Sequence, residues 1–243
     1  MAARFALYWA PREDTALARF GAGWLGRDAA TGRALPQPAI AELAPERIAA
    51  ITRAPRRYRF HATLKAPFRL AAGRSAAELH GAVSRFAAAQ AAFEIGLLHL
   101  EPLAGFLALT PQLPSPRLQA FAAACVRDLD RFRAPPSAAE IARRRQSGLS
   151  PRQDAQLLAF GYPYVLADFR FHLTLTDRLE PPERDRLLTI LRSRATAALA
   201  RPVRIEDLCL FAQAEPDSDF VIAGRYPLAA SGPSRRLVEV SGS

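Results

Sequence analysis

Residues 58–64 read Tyr-Arg-Phe-His-Ala-Thr-Leu, and residues 169–175 read Phe-Arg-Phe-His-Leu-Thr-Leu. The chain has four histidines, and this repeated phrase takes two of them, His61 and His172. Side chains along a β-strand alternate between its faces, so parity decides which residues act together. Read as a strand, the first copy sets Tyr58, Phe60, Ala62 and Leu64 on one face and Arg59, His61, Thr63 and Lys65 on the other. The second copy sets Phe169, Phe171, Leu173 and Leu175 against Arg170, His172, Thr174 and Thr176. Both strands thus have an apolar row to bury and a polar row of cation, imidazole and hydroxyl. A duplicated structural strand would explain the phenylalanines and leucines, but it gives no reason for the same His and Thr to stand at matching positions twice.

A pair of His-x-Thr strands suits displacement at phosphorus. Histidine both accepts and donates a proton near neutrality. One imidazole can take the proton of the attacking water while the other protonates the departing oxygen. Each threonine hydroxyl, two residues on and on the same face, can donate to a nonbridging phosphate oxygen. The catalytic candidates are therefore His61, Thr63, His172 and Thr174. Lys65, Tyr58, Arg143, Arg144, Tyr164 and Thr176 are the substrate-binding candidates.

Working outward from the two motifs, each half of the chain repeats the order strand, helix, hairpin. Ser75 to Ala91 has a Ser N-cap with Glu78 three residues on, the signature of a capping box. Phe93 to Leu100 and Ala104 to Pro111 read as two strands turning at Glu101-Pro102, followed by a helix over Ser115 to Phe132. After the second motif come a helix over Pro182 to Leu199 and a hairpin turning at Glu215-Pro216-Asp217. Helices are also expected over Asp14 to Leu25 and Ala39 to Ala49. Residues 133–164, punctuated by Ser147-Gly148 and Ser150-Pro151, read as two short helices joining the halves. The expected architecture is α+β, a duplicated bilobed fold in one domain over 1–243. Its two antiparallel-sheet lobes, with outer helices, flank a central cleft. Lobe one covers about 26–132, the connector about 133–161 and lobe two about 162–230, with the strand 4–10 completing a sheet.

Composition excludes several classes. Half the 243 residues are hydrophobic and 23% charged, the range of folded globular proteins. The two cysteines, Cys125 and Cys209, have no metal-ligand spacing and read as buried thiols. No carboxylate lies two to four residues after either motif histidine in a metal-ligating pattern, so neither a metal nor a cofactor is expected. There is no G-x-S-x-G elbow, P-loop or dinucleotide fingerprint. His80 and His99, without matching threonines, read as structural. No window has the ~20 apolar residues of a membrane span, and the N-terminus lacks a signal h-region, so a cytoplasmic protein with no membrane partner is expected. The net charge of +10 is almost all arginine, Lys65 being the only lysine, and the arginines are dispersed. That pattern suits a phosphorylated small ligand, with RNA a second choice, and a monomer is expected.

The paired strings His61-Ala62-Thr63-Leu64 and His172-Leu173-Thr174-Leu175 resemble the double His-x-Thr-x motif of the two-histidine (2H) phosphoesterase superfamily, which includes bacterial RNA 2′,3′-cyclic phosphodiesterases, also called 2′-5′ RNA ligases. The strings "RRYRFHATLKAPFRL", "GFLALTP", "RRRQSGLSPRQ", "FGYPYV" and "FRFHLTLTDRL" resemble the phosphonate metabolism protein branch found in phosphonate-utilisation operons. The resemblance implies a duplicated bilobed fold, metal-independent opening of a cyclic phosphodiester and the acid/base roles above. It also implies a substrate such as 5-phosphoribosyl 1,2-cyclic phosphate, the alternatives being an RNA 2′,3′-cyclic phosphate or a phospho-ligand bound without turnover. The chain departs from the branch at Arg59, where a small residue, often glycine, is the rule.

Overall fold

The computed structural model describes residues 3–215 and 218–230. Its centre is the strand β1 (Arg4–Trp9), whose alternate side chains serve two different packings. Phe5, Leu7 and Trp9 join the large core, while Ala6 and Tyr8 join a small cluster with Cys209, Phe211 and Phe220. The large core lies under α1 (Ala16–Leu25), α4 (Ala76–Ala88), α5 (Pro116–Asp128) and α8 (Pro181–Leu199), which contribute Leu17, Val83, Phe121 and Leu191 among others. Each such side chain taken out of water contributes about 1.5–3 kcal/mol before entropy is charged against it. The opposite face, carrying Tyr8, is the one on which the histidines lie.

The helices begin where side-chain oxygens satisfy the free N–H groups of the first turn. Thr15 caps α1, Ser115 caps α5, and Ser75 with Glu78 forms the expected capping box on α4. Two shorter helices, α2 (Pro45–Ile51) and α3 (Arg53–Tyr58), precede the first motif. The helix anticipated over 39–49 therefore starts late, at Pro45, whose ring favours the first helical turn. The connector is α6 (Ala138–Arg145) and α7 (Pro151–Phe160), each opened by a serine capping box.

One seven-stranded sheet runs in the order β4-β5-β6-β2-β1-β8-β9. Its other members are β2 (Ala62–Arg69), β4 (Leu98–Leu103), β5 (Phe106–Pro111), β6 (Leu173–Thr174), β8 (Asp207–Gln213) and β9 (Val221–Pro227). All adjacent pairs are antiparallel, and β3 (Phe93–Gly96) pairs separately with β7 (Val203–Ile205). The β4-β5-β6 lobe and the β2-β1-β8-β9 lobe meet at a single pair, Ala62 opposite Leu173.

Lobe membership does not follow the expected boundaries of 26–132 and 162–230. The first-motif strand β2 belongs with the second-half hairpin β8-β9 through β1, and the second-motif strand β6 sits beside the first-half hairpin β4-β5. The β4-β5 turn is also displaced from Glu101-Pro102 to Ala104-Gly105, both at positive φ (49° and 92°). Pro102 is tolerated inside β4 because that strand is at the sheet edge, where a missing N–H costs no ladder bond. In the hairpin turn anticipated at Glu215-Pro216-Asp217, Pro216 and Asp217 lie outside the described residues.

Candidate active site

Neither motif is the full strand its sequence suggests. Tyr58 ends α3, and Arg59 breaks away with φ 65° and ψ −179°, a conformation that side chains other than glycine rarely adopt. The Arg59 side chain leaves the histidine face altogether. It is buried, its Nη1 donates to the Ala29 carbonyl at 2.8 Å, and it fills space that a Cβ on Gly32 would occupy, 2.4 Å from Nη2. The second motif is regular only at Leu173-Thr174, wedged between β2 and β5.

The functional half of each motif does follow the alternation. Ala62 and Leu173 are buried on the core side, leaving His61, Thr63, His172 and Thr174 on the other. Antiparallel register about the Ala62–Leu173 pair sets His61 across from Thr174 and Thr63 across from His172. The two imidazoles then stand on the diagonal of this square, about 7–8 Å apart at the backbone. That spacing leaves room for one phosphoryl group between them.

Both histidines are tethered in the same way. His61 Nδ1 lies 2.9 Å from the Arg59 carbonyl, and His172 Nδ1 lies 2.8 Å from the Arg170 carbonyl. A carbonyl only accepts, so Nδ1 donates its hydrogen in each, and Nε2 is left to exchange protons with a ligand. The Thr63 hydroxyl lies 3.2 Å from His61 Nε2. Tyr8 stacks on the His61 ring, centroids 3.9 Å apart and planes inclined by 24°. Burial lowers the His61 pKa from 6.5 to about 4, opposed by its backbone hydrogen bond and reinforced by the charge of His172. Burial also lowers the His172 pKa, against its bond to Arg170.

His61 borders two hollows. One, of about 280 Å³, reaches Thr63, Tyr8, Tyr162, Arg143 and Arg144. The other, of about 290 Å³, reaches Thr174, Thr176 and Phe106. Tyr58 stands between them, 37% exposed and stacked on Phe220 at 5.4 Å, so it lines the site rather than joining an apolar row.

Several anticipated contacts fall elsewhere. Lys65 is buried and donates to Asp130 Oδ1 at 2.7 Å and the Val126 carbonyl at 3.0 Å, away from the histidines. The cause is an irregularity in the β1–β2 ladder: Tyr8 faces Thr63 but Leu7 faces Lys65, so one extra residue turns Lys65 onto the core side. Thr176 borders the second hollow, but it is buried and its oxygen accepts from the Leu107 N–H at 2.9 Å. Tyr164 is exposed and packs edge-on against Tyr162, which is the connector tyrosine lining the cleft. Arg145 and Arg152, neighbours of the cleft pair, are engaged by Asp154 and Asp168. Tyr8, Arg4, Arg69 and Arg133 line the cleft without having been singled out. The alternating "RFALYW" could mark Tyr8 as one face of a strand, but not which strand would lie beside it.

The remaining polar groups are structural in their contacts. His80 Nδ1 meets the Tyr226 hydroxyl, and His99 Nε2 lies 3.3 Å from Glu101 Oε2. Cys125 and Cys209 are free, buried thiols, with burial pushing Cys209 up to about 12. Among the described residues no helix is long and apolar enough to cross a membrane.

Fold and site together define a two-lobed α+β protein in which two tethered imidazoles lie on the same side of adjoining strands, with His61 and Thr63 lining an arginine-rich cleft. The chain belongs to the family described as "Protein of unknown function (DUF1045)", whose model matches residues 63–221. It is 38% identical over 238 residues to a protein of Janthinobacterium sp. (strain Marseille) named ribose 1,5-bisphosphate phosphokinase PhnN, covering 96% of this chain and 52% of that one. A protein of the same name from Laribacter hongkongensis (strain HLHK9) is 34% identical over 237 residues, covering 97% of this chain and 54% of that one. The chain thus spans about half the length of these curated relatives. Among solved structures, E. coli LigT complexed with 3′-AMP is similar with a TM-score of 0.42 at 15% identity, covering 94% of this chain and 99% of that one. The crystal structure of a phosphoesterase is similar with a TM-score of 0.40 at 15% identity, covering 93% and 98%.

Proposed function

We propose that the chain is a metal-independent phosphodiesterase that opens the cyclic phosphodiester of a small sugar phosphate, 5-phosphoribosyl 1,2-cyclic phosphate being the substrate that suits it best. The observation that carries this reading is the identical Nδ1-to-carbonyl tether of His61 and His172, which leaves both Nε2 atoms for proton exchange. Burial, and after it the charge of His172, disfavours the imidazolium at His61, which suits that residue to the base. In this reading His61 is the base and His172 the acid for ring opening. His61 Nε2 takes a proton from water as the water oxygen bonds to phosphorus, the ring P–O bond breaks, and His172 Nε2 gives its proton to the departing alkoxide. Thr63 and Thr174 donate to the nonbridging oxygens as negative charge builds on them.

The printed name of the relatives supports a sugar phosphate, since it concerns a ribose bisphosphate. The phosphokinase part of that name is assigned here to the half of those proteins outside the match, because these 243 residues contain no G-x-x-x-x-G-K-S/T loop to cradle a nucleoside triphosphate.

The test is turnover by wild type, His61→Ala and His172→Ala on phosphoribosyl cyclic phosphate and on RNA ending in a 2′,3′-cyclic phosphate. Each substitution is expected to lower kcat by about 10²–10⁴ with the fold intact. Turnover unchanged in both variants would exclude the acid/base pair, and no turnover of either substrate by wild type would leave a ligand-binding protein. A strong preference for RNA would replace the sugar phosphate as substrate.

A further inference from the structure

The cleft beside His61 has a distinctive charge inventory. Five arginines line it, and Glu140 is the one carboxylate among its described lining residues. Glu140 is held by Arg69 through two bonds of 2.7 and 2.8 Å, an arrangement that lowers its pKa to about 2 and neutralises Arg69 in return. Arg133 shares Asp130 with Lys65, two cations against one carboxylate. Arg4 donates to the neutral amide of Gln213. Arg143 and Arg144, in the last turn of α6, meet no carboxylate among the described residues, and Arg144 lies over the Tyr162 ring at 5.0 Å. The cleft therefore carries excess positive charge that its own acids do not compensate.

That charge is connected to the histidines through tyrosines. Tyr8 stacks on His61, and its phenol, raised first by burial, is raised further by the nearness of Tyr58 and Tyr162. Burial raises Tyr162 as well, against the lowering pull of Arg144. His61, Tyr8, Tyr162 and Arg144 thus line one hollow.

We propose that Arg143, Arg144 and Tyr162 form a second anion subsite that takes a phosphate monoester on the same molecule whose cyclic phosphodiester lies between the histidines. The substrate class is then a small sugar carrying both a cyclic phosphodiester and a separate phosphate. This deepens the phosphodiesterase reading and rests on it. A planar guanidinium fits the oxygens of a phosphate two at a time, and Tyr162 holds that of Arg144 in place against its ring. A volume of about 280 Å³ lies at the small end for ligand pockets, which favours a pentose bisphosphate over a run of nucleotides.

Equilibrium binding tests the subsite without requiring turnover. Titration calorimetry would compare ribose 1,5-bisphosphate with ribose 1-phosphate, which lacks the phosphate assigned to the subsite, on wild type, the R143Q/R144Q double variant and, as a control beside the cleft, R145Q. Wild type and R145Q are expected to bind the bisphosphate at least tenfold more tightly, and the double variant to bind both sugars alike. Equal affinity in wild type, or an equal loss for both sugars in the double variant, would overturn the subsite. So would tighter binding of a short oligoribonucleotide than of the bisphosphate, with that preference lost in the double variant. Preserved bisphosphate selectivity in a protein without turnover would instead count against the phosphodiesterase reading alone.

Discussion

The ring of His61 lies nearly flat on that of Tyr8, 3.9 Å between centroids, so one face of the imidazole is closed to water before any ligand arrives. The other side of Tyr8 packs on Phe211 at 4.9 Å, inside the small cluster that backs the site. Desolvation of His61 therefore depends on β1, a strand outside its own motif.

Removing the Tyr8 ring should release the His61 pKa. In Tyr8→Ala, NMR titration of His61 is expected to show it climbing from about 4 toward the ordinary 6.5, with a stability loss of about 3–5 kcal/mol for the vacated ring. Tyr8→Phe keeps the stack and should keep the low value. An equal rise in both variants would assign the effect to the hydroxyl instead of the ring.

The same burial makes stability depend on pH. The folded pKa of His61 is below its unfolded value, so between about 4 and 6.5 the unfolded chain binds more protons. The contribution is complete above pH 6.5 and is lost as pH falls toward 4, and His172 is shifted in the same direction. Urea unfolding at pH 7.5, 6 and 5 should show a shallower pH slope for His61→Gln than for wild type, and parallel slopes would refute the assignment.

Lys65 should matter for folding and hardly at all for chemistry. Lys65→Met strips one cation from Asp130, which keeps Arg133 at 2.8 Å, so the cost should fall near or below the ~3 kcal/mol lower end for a broken buried pair. Denaturation together with kcat measures both sides. A large fall in kcat with little loss of stability would restore Lys65 to the substrate.

Arg59 offers a comparison between strain and anchoring. Arg59→Ala loses the tie to Ala29 but keeps a positive φ, whereas Arg59→Gly loses the same tie and relieves strain of about 1–3 kcal/mol. Because the Arg59 carbonyl holds His61 Nδ1, the glycine variant should exceed the alanine variant in both Tm and kcat/KM. The reverse order would mean that the unusual backbone plays no part in positioning the imidazole.

Local rules made part of this molecule legible. The capping boxes at Ser75, Ser137 and Ser150 depend on residues three apart, and the shared face of His61 and Thr63 depends only on residues two apart. Fold class and the two connector helices followed from such short-range patterns. Lys65 was misplaced because one irregular step in the β1–β2 ladder reverses parity, and nothing within β2 marks that step. Arg59 was misplaced because its backbone conformation is imposed by distant partners, among them Ala29 and Gly32. Tyr8, Arg4 and the interleaving of the halves required knowing that β1 lies between β2 and β8, a pairing of residues as far apart as Arg4 and Gln213. Periodicity carries no information about partners at that range.

The crossed membership of the strands gives the polypeptide a reciprocal dependence. Cut in the connector near Gly148, the chain would yield one piece holding β4-β5 without β6 and β1-β2 without β8-β9, and another holding the missing strands with no sheet to receive them. Neither piece is a self-sufficient folding unit, and each is a template for the other. The duplicated phrase therefore belongs to two units that complete one another, and a substitution in the second copy is felt first in the half of the chain that does not contain it, through β2 and β5.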